Sequence, residues 1–424
     1  MTALARYRLV DPILIVDYMS ANSMWHEIEV LVRQERKSIF KHLYEYLELK
    51  PNNYFEDKKK ISQSIADEIK SSNLLHRLSS SRLIALSRLL AQFSFFEAAT
   101  ACRLTSLWRL GLSVSTGAFE QNAICAELSG IDAHALKYFA ERYDMPEQAL
   151  EYLTNYAQQG TVSDLLQQLK NNSIMVQDTQ LPELSSKARL ALMQFSSAQL
   201  NLAKKKVLFI GPSVRESEML FRSDFDLVAR IGFHDRTSIA GFEEYETDIS
   251  LYRDHKLDRL SPEEITSIGR SLSAMIVSSL SSSILEKLEF FGPLFHSPLS
   301  GVTLISANLN AGLEAVLVIL EADADLVHIT HTDLYLNRVY PKGYNSSNNY
   351  SQFNVSDGWI LKSEDFCRSL SRHHAPSVLF SIYQKLWRSG KIHGDTVFSD
   401  IMNDGIISYL KNLEETYHPF LGVQ

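Results

Sequence analysis

A chain of 424 residues is long enough to bury more than one core, and 45% hydrophobic against 22% charged residues is an ordinary balance for a soluble globular protein. Its net charge of −8 argues against sequence-independent nucleic-acid binding, which needs a basic footprint, although a local basic patch remains compatible with it. The three cysteines, Cys102, Cys125 and Cys367, are scattered without a CxxC pair, which suits a reducing cytoplasm and gives no zinc signature.

The N-terminus has no basic stretch followed by an apolar core and a small-residue cleavage site, so no signal peptide is expected. No apolar run reaches the roughly 18 residues of a membrane span. Residues 1 to 195 carry helical periodicity almost throughout and predict an all-helical domain. In Asn22–Lys50, Trp25, Ile28 and Val32 recur at helical spacing, as do Ile39, Leu43 and Leu47, and Pro51-Asn52-Asn53 ends that helix. Amphipathic runs follow at Ile61–Ile69, Leu83–Leu90, Phe95–Leu110, Ala133–Tyr143, Pro146–Tyr156 and Val162–Leu169. Helix pairs of this length resemble a solenoid, but no repeat of fixed period emerges. The aromatics Trp25, Trp108 and Tyr138 read either as core or as a face for an acceptor or partner. Asn171–Gln180 is polar and reads as a linker, and Leu184–Leu202 as a last helix.

From Lys204 the pattern changes. The stretch KKKVLFIGPS runs from three lysines through Val207–Ile210 to Gly211-Pro212-Ser213, a buried parallel strand entering a glycine turn. Further strands are expected at Phe225–Ile231, Ile249–Tyr252, Ala274–Ser279, Val302–Ser306 and Leu326–Thr330. Helices are expected from Ser281-Ser282-Ser283, over Ala311–Leu320, Ser377–Trp387 and Thr396–Leu413. Strands spaced by helices predict an α/β domain over 204–424, built on a doubly wound parallel sheet with a helical C-terminus.

Ligands of such sheets collect where loops and helix N-termini meet at strand ends. Gly211 lets a phosphate or ribose approach the backbone, and Ser213 can donate to it or cap a helix. Asn310-Ala311-Gly312 opens a helix, where Asn310 is also a plausible N-cap. In LVHITHTDLY, Leu326–Tyr335, strand alternation sets His328 apart from His331 and Asp333, which weakens a metal reading and leaves His331, Asp333 and Tyr335 at a strand end. Asp323-Ala324-Asp325 lies at the opposite end and reads as a solvated turn. His373-His374, before a helix, is either a general base or an exposed loop pair.

Taken in order, these segments resemble the bacterial sialyltransferase fold that uses CMP-activated donors. The matching segments are Phe209–Ser213, Asp224–Arg230, Leu251-Tyr252-Arg253, Asn310-Ala311-Gly312, Asp333-Leu334-Tyr335 and a late histidine, His374 or His373. The resemblance covers about Lys204 to Leu386 and none of the helical half. It departs from the family where a loop glycine and asparagine fall at Phe209 and Ile210. Two further donor-binding asparagines fall at Ile231 and Arg253, and a serine at Ala311. Such replacements imply a different donor, for example CMP-Kdo or another ulosonic acid, or a domain that has lost catalysis. Flagellin-modifying and capsule- or lipopolysaccharide-building transferases are the relatives it implies.

The resemblance implies a cytoplasmic, inverting, metal-independent glycosyltransferase with no cofactor. It would move sialic acid, Kdo or a related ulosonic acid from a CMP-sugar donor to a glycan or protein acceptor. Peripheral association with the inner membrane is left open, as is the oligomeric state, and no nucleic-acid partner is expected. His374 or His373 would deprotonate the acceptor hydroxyl, and Tyr335 with Tyr340 or Tyr344 would stabilise the leaving phosphate. Gly211, Pro212, Ser213, Arg230, Arg253, Asn310, Ala311, Gly312 and Asp333 would hold the donor, and Pro341–Val355 would form a lid. The alternatives are a transferase using another nucleotide donor, and a non-catalytic helical interaction protein with a degenerate nucleotide-binding domain.

Overall fold

The computed structural model describes residues 11–22, 24–35, 37–113, 117–157, 160–173, 185–186, 199–213, 220–232, 246–278, 282–288, 294–299, 302, 304–305, 307–337, 339–340, 352–355, 358–361, 367 and 374–417. The first part is helical: α1 (Pro12–Ala21), α2 (Trp25–Gln34), α3 (Ile39–Leu47), α4 (Tyr54–Ser71), α5 (Leu74–Arg77), α6 (Ser80–Gln92), α7 (Phe96–Gly111), α8 (Ala118–Leu128), α9 (Ala133–Tyr143), α10 (Glu147–Ala157) and α11 (Val162–Asn171). The apolar periodicity explains them: Ile61, Ile65 and Ile69 of α4 form one buried stripe, as do Leu165, Leu166 and Leu169 of α11. Caps set the starts. Asp132 accepts the Ala135 amide at 2.7 Å before α9, and Thr161 with Asp164 forms a capping box before α11. Residues Phe96–Leu107 of α7 are buried on every side, which marks α7 as the central helix of this half.

The second part contains β1 (Lys206–Ile210), β2 (Leu227–Ile231), β3 (Ile249–Tyr252), α12 (Asp254–Leu257), α13 (Pro262–Ser271), β4 (Ala274–Val277), α14 (Ser282–Lys287), β5 (Leu294–His296), α15 (Ala311–Glu321) and β6 (Leu326–Thr330). Then come β7 (Val339–Tyr340), β8 (Gln352–Val355), β9 (Gly358–Leu361), α16 (Pro376–Arg388), β10 (Ile392–Gly394) and α17 (Thr396–Thr416). Seven strands form one sheet in the order β10-β6-β1-β2-β3-β4-β5, with every pairing parallel. Side-chain alternation gives the sheet two buried faces. Ile249, Leu251, Ala274 and Ile276 join the cluster that holds α15, while Tyr252, Met275 and Val277 pack with Ile265 and Leu285 of α13 and α14. A separate antiparallel sheet has the order β7-β9-β8.

One apolar cluster runs from Ile15 through the helical half and the sheet to Tyr417. α17 carries much of this continuity. Lys58 of α4 donates to Ser94 Oγ at 2.8 Å, to the Glu414 carbonyl and to the Tyr417 carbonyl at 3.4 Å. The Glu414 carboxylate accepts the Glu97 amide at 2.8 Å. Burial pushes the Lys58 ammonium down and the Glu414 carboxyl up from their ordinary values. Trp108 and Tyr138 pack against this core, and Tyr138 also donates to Glu97 Oε2 at 3.0 Å.

Several expectations need correction. Asn22–Lys50 holds two helices, because the chain breaks between α2 and α3 and Ser38 adopts φ 50°. Residues 302, 304 and 305 form no strand: the Leu304 amide turns back onto the Ala307 carbonyl at 3.1 Å, and Val302 and Leu304 are buried as loop residues. That edge of the sheet is completed by β5. Most of Leu184–Leu202 and of Asn171–Gln180 lies outside the described residues, and 199–202 are not helical. The Leu202 amide instead bonds to the Ala322 carbonyl at 2.7 Å. Among the described residues no helix is long and apolar enough to cross a membrane.

Candidate functional site

Strand order fixes where a site can form. From β1 the chain moves to β2, β3, β4 and β5, then returns to the other side of β1 with β6 and β10. The direction of winding therefore reverses between β1 and β6, the place at which doubly wound sheets put their ligands. The β1 loop is Gly211-Pro212-Ser213 and the β6 loop is His331–Leu336.

These loops are laced together. The Gly211 amide donates to the Thr330 carbonyl at 2.8 Å, and the Ser213 amide to the His331 carbonyl at 2.9 Å. Ser213 Oγ donates to Asp333 Oδ2, with both side chains buried. His331 Nδ1 lies 3.1 Å from the Ser213 carbonyl, so Nδ1 carries the hydrogen and Nε2 is the unprotonated nitrogen of the neutral ring. A Cβ on Gly211 would run into Thr332 Oγ1 and the His331 carbonyl. Glycine is needed there for close approach of two loops.

The β6 loop has an unusual backbone. His331, Leu334 and Tyr335 adopt φ of 52°, 51° and 76°, a region costly for residues with a Cβ. The Asp333 carboxylate accepts the Tyr335 amide at 3.1 Å. Behind the loop, Tyr409 donates to the Leu334 carbonyl at 2.9 Å and Tyr417 to the Tyr335 carbonyl at 2.7 Å.

The N-terminus of α15 meets the same loop. Asn310 is the N-cap, its Oδ1 accepting the Leu313 amide at 2.7 Å. That bond fixes the amide orientation, and Nδ2 donates to the Tyr335 hydroxyl at 2.7 Å. The Tyr335 oxygen is the acceptor in that bond. Ala311 and Gly312 form the first turn of α15, and Gly312 lies against Ile231 at the end of β2. Two residues before Asn310, the Asn308 carbonyl lies 3.2 Å from His374 Nδ1. A carbonyl only accepts, so Nδ1 carries the hydrogen and neutral His374 keeps its lone pair on Nε2.

The two expected arginines are placed differently. Arg230 is buried on β2, on the face opposite Ile231 and hence away from the start of α15. Burial pushes its guanidinium down to about 10. Arg253 reaches inward: Nη2 sits 2.8 Å from Glu314 Oε2 and 2.8 Å from the Leu309 carbonyl. Glu314, 1% exposed, also accepts from Ser297 Oγ at 2.8 Å, and burial raises its carboxyl above the ordinary range despite Arg253. Arg253 thus braces the Leu309–Asn310 turn from below.

His373 and Tyr344 lie outside the described residues, as does the side chain of Tyr340, whose backbone belongs to β7. Asp323 and Asp325 are exposed at the N-terminal end of β6. Among the described residues no three His, Cys, Asp or Glu side chains converge as a metal site. Sequence reasoning missed Asp395. It follows β10, accepts Thr330 Oγ1 at 2.8 Å and the His331 amide at 3.1 Å, and caps α17 through the Phe398 amide at 2.9 Å. Its only sequence signal is that of an N-cap, Asp before Thr396. Compared with known proteins, the chain matches no family model, no curated protein and no solved structure.

Proposed function

We propose that the strand-end surface over β1 and β6, beside the start of α15, binds a CMP-activated sugar and that the protein transfers that sugar, a sialic, Kdo or related ulosonic acid, to a glycan or protein acceptor. One observation carries the reading: at the sheet's point of reversal, the Ser213–Asp333 pair, the capped start of α15 and Tyr335 adjoin one another, with His374 held at Asn308 beside them. The N-terminus of α15 suits a nucleotide phosphate. In this reading Tyr335, oriented by Asn310, donates its proton to the departing phosphate oxygen. His374 Nε2 removes the acceptor hydroxyl proton, and Nδ1–H on the Asn308 carbonyl holds the ring in the required tautomer. Ser213 and Asp333 hold the β1 loop against the β6 loop that carries Tyr335.

Arg253 is already engaged by Glu314 and Leu309. Within this reading it shapes the turn, and the donor's anionic groups rely on helix and hydroxyl donors.

The test is thermal stabilisation by CMP, CDP and UDP, each with and without EDTA, followed by a mass-spectrometric screen of CMP-sugars. Stabilisation by CMP that survives EDTA is the expected result. Stabilisation by UDP alone, and only with a divalent ion, would overturn the donor assignment. Absence of any nucleotide response would favour the non-catalytic interaction protein.

A further inference from the structure

Asp395, the N-cap of α17, divides its carboxylate between a helix and the candidate site. Oδ1 accepts the Phe398 amide at 2.9 Å and closes the first turn of α17. Oδ2 serves other partners: it accepts Thr330 Oγ1 at 2.8 Å and the His331 amide at 3.1 Å. The residue is 2% exposed, and its own amide extends the β10–β6 ladder by donating to the Ile329 carbonyl at 3.0 Å. An N-cap needs one acceptor oxygen, which serine or asparagine supplies as well as aspartate does. Capping alone therefore leaves the second oxygen without a purpose.

That oxygen acts on a single peptide unit. The Thr330–His331 peptide donates its N–H to Asp395 and offers its carbonyl to the Gly211 amide at 2.8 Å. Rotation of this unit would break both bonds at once. The next carbonyl, that of His331, accepts the Ser213 amide at 2.9 Å. His331 itself has φ 52°, so the held unit lies where the backbone enters a costly region. Asp395 thus grips the start of the β6 turn, while Tyr409 and Tyr417 grip the carbonyls of Leu334 and Tyr335 at its end. Both grips come from α17. Between the cap and the two tyrosines that helix is broken at Gly405, with φ 79° and ψ 173°, a conformation essentially restricted to glycine.

We propose, on the reading of this surface as a CMP-sugar site, that Asp395 is a positioning residue: through Thr330 and the His331 amide it fixes the β6 turn in the conformation that presents Tyr335 to the donor phosphate. Its effect runs through the population of the competent turn. Losing a hydrogen bond to a charged group shifts that population by about tenfold or more, and apparent affinity falls by the same factor.

Asp395→Ser in the full chain is the discriminating variant. Its hydroxyl still caps α17 but is too short to serve Thr330 and His331 as well. Calorimetric titration with CMP should show the dissociation constant rising about tenfold. Amide exchange should quicken over His331–Leu336 and stay unchanged in the first turn of α17. Thr330→Val removes one donor, leaves the cap untouched and should move both readouts in the same direction by less. It decides if Asp395→Ser does not fold. Unchanged CMP affinity in the variants, with the parent protein binding CMP, makes Asp395 a cap alone and overturns the proposal while the donor assignment stands. Equal quickening across the sheet and α17 overturns it as well, since the role is then general stability. No CMP response in the parent protein removes the donor assignment, and the exchange pattern by itself then decides whether Asp395 holds the turn.

Discussion

The Tyr417 hydroxyl donates to the main-chain carbonyl of Tyr335 at 2.7 Å, joining residues 82 apart. The donor follows α17 and the acceptor sits in the left-handed turn after β6. Tyr409 does the same for Leu334 from one helix face further back. Together they support a backbone conformation that the loop's own residues disfavour. Replacing both tyrosines by phenylalanine should cost about 1 kcal/mol per hydrogen bond. Chemical denaturation would measure this, and hydrogen exchange at Leu334–Leu336 should rise more than exchange in β3. Uniform acceleration across the sheet would instead indicate general destabilisation.

Where the β1 and β6 loops meet, Gly211→Ala should be among the most damaging conservative changes in the sheet. The added methyl meets Thr332 and the His331 carbonyl, so the two loops must part and lose the Ser213 amide bond. A loss of at least about 2 kcal/mol is expected, in the range of overpacked sites. Ser213→Ala removes only the hydroxyl bond to Asp333, about 1.5–3 kcal/mol if Asp333 is ionised. On the proposed function, both variants weaken nucleotide binding. Urea melts and CMP titrations would separate the two effects.

The base assignment makes a kinetic prediction. A positioned general base contributes roughly 10²–10⁴ in rate. His374→Ala should therefore lower turnover on the true substrate by about that factor while leaving CMP affinity nearly unchanged. His373→Ala should have a smaller effect. Near-normal turnover in both variants would move the role to His331, whose Nδ1 likewise faces a main-chain carbonyl, that of Ser213.

A pH dependence follows from His296 on β5. Burial lowers its pKa from 6.5 to about 4, and its Nε2 is buried with no partner. The folded state holds the neutral ring while the unfolded chain binds a proton below 6.5. Stability from this group is complete above pH 6.5 and is lost as pH falls through 4, by about 3 kcal/mol in total. His296→Leu should remove that share of acid destabilisation. Urea melts of both proteins at pH 7 and pH 4.5 should show the variant gaining on the parent at the lower pH. An unchanged difference would mean that the ring is protonated in the folded state.

Local rules made parts of this architecture readable. β3 and β6 coincide with their apolar runs at Ile249–Tyr252 and Leu326–Thr330, because a strand buried on both faces is a near-continuous apolar stretch. Ala133–Tyr143 likewise coincides with α9, set by its stripe and the Asp132 cap. The edge strands β5 and β10 have three residues each, too few for any periodicity. Val302 and Leu304 misled because a buried loop is as apolar as a strand, and the hydrogen bond that reverses it leaves no compositional trace. For the candidate site, Ser213, Asp333 and Tyr335 were legible as strand-end residues. Their pairings were not, since Ser213 and Asp333 lie 120 positions apart and meet only through strand order. Arg253 looked like an anion ligand because its partner Glu314 sits inside an apolar helix, where a carboxylate gives no sequence sign of what it faces.

The clasp between α4 and α17 has a consequence for how the chain is made. Glu97 and Lys58 are synthesised more than 300 positions before Glu414, their partner in the folded protein. As the chain emerges N-terminal end first, the central helix α7 waits with a polar and apolar flank exposed until the last helix arrives. β6 must also return past β2–β5 to the far edge of β1 before β10 can add to it. Pairings this distant in sequence form slowly. The nascent helical half is therefore the species most open to chaperone capture or self-association, and the last helix acts as the latch that ends that exposure.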